Sequence, residues 1–89
     1  MHVADIERQL RDFVLTSFLS ETPAEEFHNT DDLFQLLDSL QLLRMVMQLE
    51  VLFGIKVADH ELAAENLGSI VKVAEFVVRK RDPHGRITA

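Results

Sequence analysis

The stretch between Asp38-Ser39 and Gly54 constrains the chain most. At about 100° per residue, a helix over it carries Leu42, Met45, Val46, Leu49 and Phe53 on one side. Leu40, Leu43, Met47 and Val51 fall on nearly the opposite side, with Arg44, Gln41 and Gln48 on one flank and Glu50 on the other. A helix apolar all round is normally buried all round, which is one reading of this segment. The other follows from size. A chain of 89 residues has few further helices, enough to cover one broad face but hardly both. The inner stripe is then core. The outer one is a surface for a partner, made by Leu40, Leu43 and Met47 with flanking Arg44, and with Met47 as an adaptable contact. Asp38 and Ser39 both suit a helix N-terminus, where a side-chain oxygen accepts an orphan backbone N–H, and Gly54 suits the C-terminal stop.

Around this segment the pattern is helical throughout. Val3, Ile6, Leu10, Phe13, Val14 and Ser17 recur every three or four residues and predict an amphipathic helix over 3–19, ended at Glu21-Thr22-Pro23. Residues 20–38 show no sustained period and form a long loop of the kind that is often functional. Leu33-Phe34 and Leu36-Leu37 should pin it to the core, and Thr30 suits the cap of a short turn. Ile55-Lys56-Val57 has no second strand to pair with and reads as a packed connector. A short helix is expected over 59–65 with Asp59 as its cap. Ser69 should cap a last helix that buries Ile70, Val73, Ala74 and Val77 and ends at Arg79-Lys80-Arg81, cations that suit the negative end of the helix dipole. Pro83 and Gly85 mark residues 83–89 as a frayed basic tail. The expectation is one all-α domain over 1–82: a four-helix bundle with three long helices, a short third one and a long loop between the first two.

Composition removes most chemistries. There is no cysteine, so disulfides, thiolate metal sites and cysteine nucleophiles are excluded, and stability must come from packing. Nine Lys+Arg against fifteen Asp+Glu give a net charge of −6, which argues against nucleic acid as the main partner. The charge is uneven: residues 20–66 hold ten acids against Arg44 and Lys56 alone, and the last part of the chain is mildly basic. His2, His28, His60 and His84 lack metal-ligand spacing, so no metal site is expected. Three glycines make no phosphate-cradling loop. Ser39 has no neighbouring histidine to serve as base, so no catalytic residue is assigned. No apolar run is long enough to span a membrane, and the N-terminus lacks signal-peptide regions. Cytoplasm is the default compartment.

The joint spacing of several segments resembles the carrier proteins of acyl and peptidyl transfer. These are Asp32-Leu33-Phe34, Leu37-Asp38-Ser39-Leu40, Leu49-Glu50, Phe53-Gly54-Ile55 and Glu65-Asn66-Leu67-Gly68-Ser69-Ile70. Asp-Ser-Leu alone would be weak; the spacing across roughly 31–78 is far more specific. Leu36 to Leu40 looks closest to D-alanyl-type and nonribosomal-peptide-type carriers. The resemblance implies that Ser39 is esterified by 4′-phosphopantetheine, whose thiol carries the cargo, and that Asp38 helps the modifying transferase, at its metal ion. It implies a discrete, monomeric carrier that does no chemistry itself. Its partners would be a phosphopantetheinyl transferase, a loading ligase or acyltransferase, and tailoring or condensing enzymes. Two features depart from the family pattern. The glycine usual shortly before Asp-Ser-Leu is absent, with Gln35 and Leu36 in that region, and the central helix is net neutral, with Glu50 against Arg44. Fatty-acid carriers resemble one another in an acid-rich helix here, so a dedicated carrier in a specialised pathway is expected. The rival from another class is a helical adaptor of similar fold with Ser39 unmodified.

Overall fold

A computed structural model describes residues 2–81. Five α-helices occur among them: α1 (Val3–Ser17), α2 (Leu33–Leu36), α3 (Ser39–Phe53), α4 (Ala64–Leu67) and α5 (Ile70–Arg81). Tight 3₁₀ turns cover Ala24–Glu26 and Asp59–Glu61, and no strand is present among the described residues. The all-α expectation holds, and α1, α3 and α5 are the three long helices expected, but more than one short element accompanies them. The short helix expected over 59–65 is divided into a 3₁₀ turn and the separate one-turn α4, and the long loop contains α2. The frayed tail expected over 83–89 lies outside the described residues.

Helix α5 is the hub, packing most extensively against α1 and also against α4 and α3. Ile6, Leu10 and Val14 of α1 are buried against the same core as Ile70, Val73, Ala74 and Val77 of α5. Ser17, expected on that inner face, is exposed: α1 ends there, as Phe18 and Leu19 both turn their N–H groups back to the carbonyl of Val14. From α3 the core receives Met45, Val46, Leu49 and Phe53, with Leu42 partly buried beside them. Gly54 then stops the helix in the left-handed region at φ 66°, where a β-carbon would be strained. The Arg81 guanidinium donates to the carbonyl of Phe53 at 2.8 Å, placing a cation at the negative end of α3.

Polar clamps hold the irregular segments. The Asn29 side chain accepts from Arg11 at 2.9 Å and donates to Glu7 at 3.2 Å, while its carbonyl accepts from Val71 N–H at 3.1 Å. One loop residue is thereby tied to both α1 and α5. The Leu33 N–H donates to the carbonyl of Gly68 at 2.8 Å. A β-carbon at Gly68 would collide with the carbonyl oxygen of Ala64, so glycine is required by that close approach. Asp32, not Thr30, caps α2 by accepting from Phe34 N–H. Asp59 does not cap the 3₁₀ turn either. The Glu61 carboxylate reaches back to Ala58 N–H at 2.9 Å and pairs with Lys80 at 2.9 Å. That backbone hydrogen bond first, and then Lys80, hold the Glu61 carboxyl below its ordinary value of 4.5. The predicted connector is fixed by Glu50, whose carboxylate accepts from Val57 N–H at 2.9 Å, and by buried Ile55.

The two sides of α3 therefore make opposite contributions to stability. Leu49→Ala and Phe53→Ala, at 0 % and 1 % exposure, should each cost about 2–5 kcal/mol in urea melts through lost burial and a residual cavity. Val51→Ala on the outer side should stay within about 0.5 kcal/mol. A loss under about 1 kcal/mol at both inner positions would mean the wrong stripe has been assigned to the core.

Candidate functional site

The start of α3 is built by a reciprocal pair. Asp38 lies just outside the helix in extended geometry, and its carboxylate accepts from Gln41 N–H at 2.8 Å. The Gln41 side-chain oxygen accepts in turn from Asp38 N–H at 3.0 Å. This is a capping box in which glutamine returns the bond. Both Asp38 and Ser39 suited the cap by sequence; the carboxylate takes it. Ser39 becomes the first residue of the helix, exposed, and its hydroxyl makes no hydrogen bond to any described residue. The N–H groups of Ser39 and Leu40 likewise have no acceptor among the described residues. An anion on Ser39 Oγ would therefore sit at the positive end of a helix of 15 residues, beside free donors.

Ser39 also lines the rim of a cavity of about 370 Å³, whose other walls are Phe34, Leu42, Leu43, Val46, Leu62 and Leu67. The walls come from α2, α3, the segment after the 3₁₀ turn, and α4. A second groove of about 390 Å³ lies on the other flank of α3, against the end of α1, lined by Phe13, Ser17, Phe18, Arg44, Met47, Gln48 and Val51. Between the two runs an exposed apolar ridge. Leu40 is 59 %, Leu43 49 %, Met47 56 % and Val51 77 % exposed.

The sequence-predicted residues are thus only partly brought together. Asp38, Ser39, Leu40 and Leu43 share the first turns of α3, and Leu43 faces the cavity at Ser39. Arg44 and Met47 face the other groove. Phe34, Leu62 and Leu67 escaped the sequence reading as site residues. The four-residue spacing of buried Leu33 and Leu37 is the local signal that leaves Phe34 off the inner face; the other two had no such signal.

With this geometry in view the comparisons with known proteins are specific in one respect. Over residues 12–77 the chain matches the family described as phosphopantetheine attachment site. The chain belongs to that family, and 4′-phosphopantetheine is the group it carries covalently. Searches among curated proteins and among solved structures give no match. An exposed hydroxyl free of hydrogen bonds at a helix N-terminus fits such a group. No helix among the described residues is long and apolar enough to cross a membrane.

The division of labour between neighbours can be measured. Asp38→Ala should cost about 1 kcal/mol through the lost cap, whereas Ser39→Ala should stay within about 0.5 kcal/mol. Urea melts in which Ser39→Ala is the more damaging change would show that the serine, not the aspartate, caps α3.

Proposed function

We propose that this carrier holds its arm on Ser39 Oγ and presents an acyl or aminoacyl group to partner enzymes of a biosynthetic pathway of specialised metabolism. The observation that carries the reading is the free, exposed hydroxyl at the first position of α3, inside the segment that matches the family. When bound, the arm supplies a thiol that holds cargo as a thioester.

The residues around it perform simpler tasks. Ser39 presents a hydroxyl with no internal competitor for its proton or lone pairs. The Ser39 and Leu40 N–H groups and the α3 dipole stabilise the negative phosphodiester that replaces that proton. Asp38 holds the helix start in place through one carboxylate oxygen, leaving the other to meet the transferase and its metal ion. Leu40, Leu43, Arg44 and Met47 form the face that a phosphopantetheinyl transferase, a loading ligase or acyltransferase, and tailoring or condensing enzymes meet when they approach Ser39. That face is apolar apart from Arg44, so its contribution to docking is contact rather than charge pairing.

The attachment test uses coenzyme A and a broad-specificity phosphopantetheinyl transferase, with intact-mass and peptide mass spectrometry. One arm should be added, at Ser39, and Ser39→Ala should accept none while keeping its helix content. Addition elsewhere, or none with several transferases, would favour an unmodified helical adaptor.

For docking, Leu43→Glu and Met47→Glu should retain native circular dichroism but slow loading by a cognate enzyme by roughly tenfold or more, as expected for a lost apolar contact at an interface centre. Raising salt to physiological strength should weaken loading only modestly, because salt screens exposed charges and not apolar contact. Normal loading of both variants, with transfer abolished by salt alone, would make recognition ionic.

A further inference from the structure

We infer that Gln41 is a positioning residue for attachment of the arm at Ser39. The inference rests on that attachment and on Asp38 meeting the transferase. Residue type alone does not decide what caps α3, since aspartate and serine are about equally good N-caps. The residue three positions later separates them. After Asp38 that residue is Gln41, whose side chain can return a hydrogen bond; after Ser39 it is Leu42, which has none to return. The box that closes is therefore the one begun by Asp38. Ser39 is left at the first helical position with its hydroxyl unengaged by any described residue.

The second support is how Asp38 is held. Only Leu37 and Asp38 stand between α2 and α3, and both are extended, at φ −115°, ψ 144° and φ −81°, ψ 176°. Leu37 is buried, and its N–H donates to the carbonyl of Leu33 at 2.9 Å. That fixes where the chain enters, but not the orientation of exposed Asp38. Gln41 fixes it from two sides. Its backbone N–H donates to one carboxylate oxygen at 2.8 Å, and its side-chain oxygen accepts from the Asp38 N–H at 3.0 Å. A backbone N–H can only donate, so the oxygen of the Gln41 amide is the atom that meets it. The second carboxylate oxygen of Asp38 is left without a partner among the described residues, one residue before the free hydroxyl.

Attachment uses both of these oxygens. The bond from Ser39 Oγ to phosphorus forms as the pyrophosphate P–O bond of coenzyme A breaks. The adenosine bisphosphate half leaves with the electron pair of that bond, and the hydroxyl proton passes to a base of the transferase. On the reading above, the free Asp38 oxygen meets the metal ion of the transferase during this step. Such a reaction depends steeply on how its groups are placed. Gln41 acts through Asp38 and not by contact with coenzyme A.

The test follows arm addition from coenzyme A by a broad-specificity transferase over a range of carrier concentrations. Gln41→Met has similar length but no strong acceptor. It should lower kcat by roughly tenfold, part of the hundredfold that a full misplacement of about 1 Å can cost, with KM for the carrier near wild type. Gln41→Glu, which can also close a capping box, should recover most of the rate. Ile6→Val, a small loss of packing at a buried position of α1, should keep the wild-type kcat and so separates positioning from stability. Hydrogen exchange reads the same bond without turnover. The Asp38 N–H should exchange faster in Gln41→Met and regain protection in Gln41→Glu, with circular dichroism unchanged in both. Wild-type kcat in Gln41→Met, a change confined to KM, no recovery in Gln41→Glu, or an equal loss in Ile6→Val overturns the positioning role and leaves attachment at Ser39 standing. Failure of the wild-type chain to take an arm at Ser39 overturns both.

Discussion

Asp38 and Gln41 exchange two hydrogen bonds at the entrance to α3, and the geometry of Ser39 depends on that exchange. A helix start leaves several N–H groups without partners, and serine is among the residues that commonly satisfy one. Had Ser39 done so, its hydroxyl would be folded back onto the helix and engaged. Because a carboxylate one residue earlier takes the role, the hydroxyl moves to the first helical position and points free. The entry angle is set as well. Leu37, just before the cap, is buried, and Leu42, four residues into the helix, is partly buried against the same core. That is the placement of a hydrophobic staple. The cap is therefore both a stability device and the reason that the Ser39 hydroxyl is left without a partner among the described residues at a defined place.

The rest of the fold keeps α3 half covered. Helices α1 and α5 bury one side through Ile6, Leu10 and Val14 and through Ile70, Val73 and Val77, and nothing described lies over the other. The segments around the Ser39 cavity are short, and polar contacts to the long helices supplement the buried Leu33, Leu37 and Leu67 in holding them. Asn29 joins the loop to α1 and α5, Leu33 N–H joins α2 to Gly68, and Glu61 joins the 3₁₀ turn to Lys80 on α5. Phe34 and Leu62, which both line the cavity, belong to these segments. A cavity made this way can adjust more readily than one cut into a helix pair, since irregular segments lie toward the low-stability end of a structure.

What was legible in the sequence was what local spacing encodes. The inner and outer stripes of α3, the stop at Gly54, and the buried face of α5 all follow from a period of 3.6 and from glycine's freedom, and each stands in the structure. The resemblance to carrier proteins likewise rested on spacing, and the match over residues 12–77 agrees with it. What escaped was set by contacts between residues distant in the chain. α2 forms where Leu33 N–H meets Gly68, and no window around Leu33 contains Gly68. Thr30 and Asp59 were reasonable caps by residue type, yet Asp32 and the back-reaching Glu61 carboxylate occupy those roles. The Ser39 cavity draws its walls from four segments, so no single stretch of sequence displays it.

On the docking proposed above, the acidic balance and the apolar ridge divide recognition between them. Glu25, Glu26, Asp32 and Asp59 are exposed and belong to the irregular segments, while the ridge itself holds Leu40, Leu43, Met47 and Val51 with Arg44 beside them. Exposed charges act over a Debye length of about 8–10 Å and mainly govern the rate of encounter with an oppositely charged partner. Apolar contact acts only on touching and mainly governs how long the complex lasts. A carrier that visits several enzymes in turn needs the first to be general and the second to be moderate. The same arrangement bears on solubility. A ridge that is 49–77 % exposed invites pairing with a second copy, and such a pair would bring two chains of net charge −6 together. Mutual repulsion opposes that pairing and does not oppose docking to a basic enzyme surface. On the docking proposed above, the acids let the protein leave open the face offered to its partners.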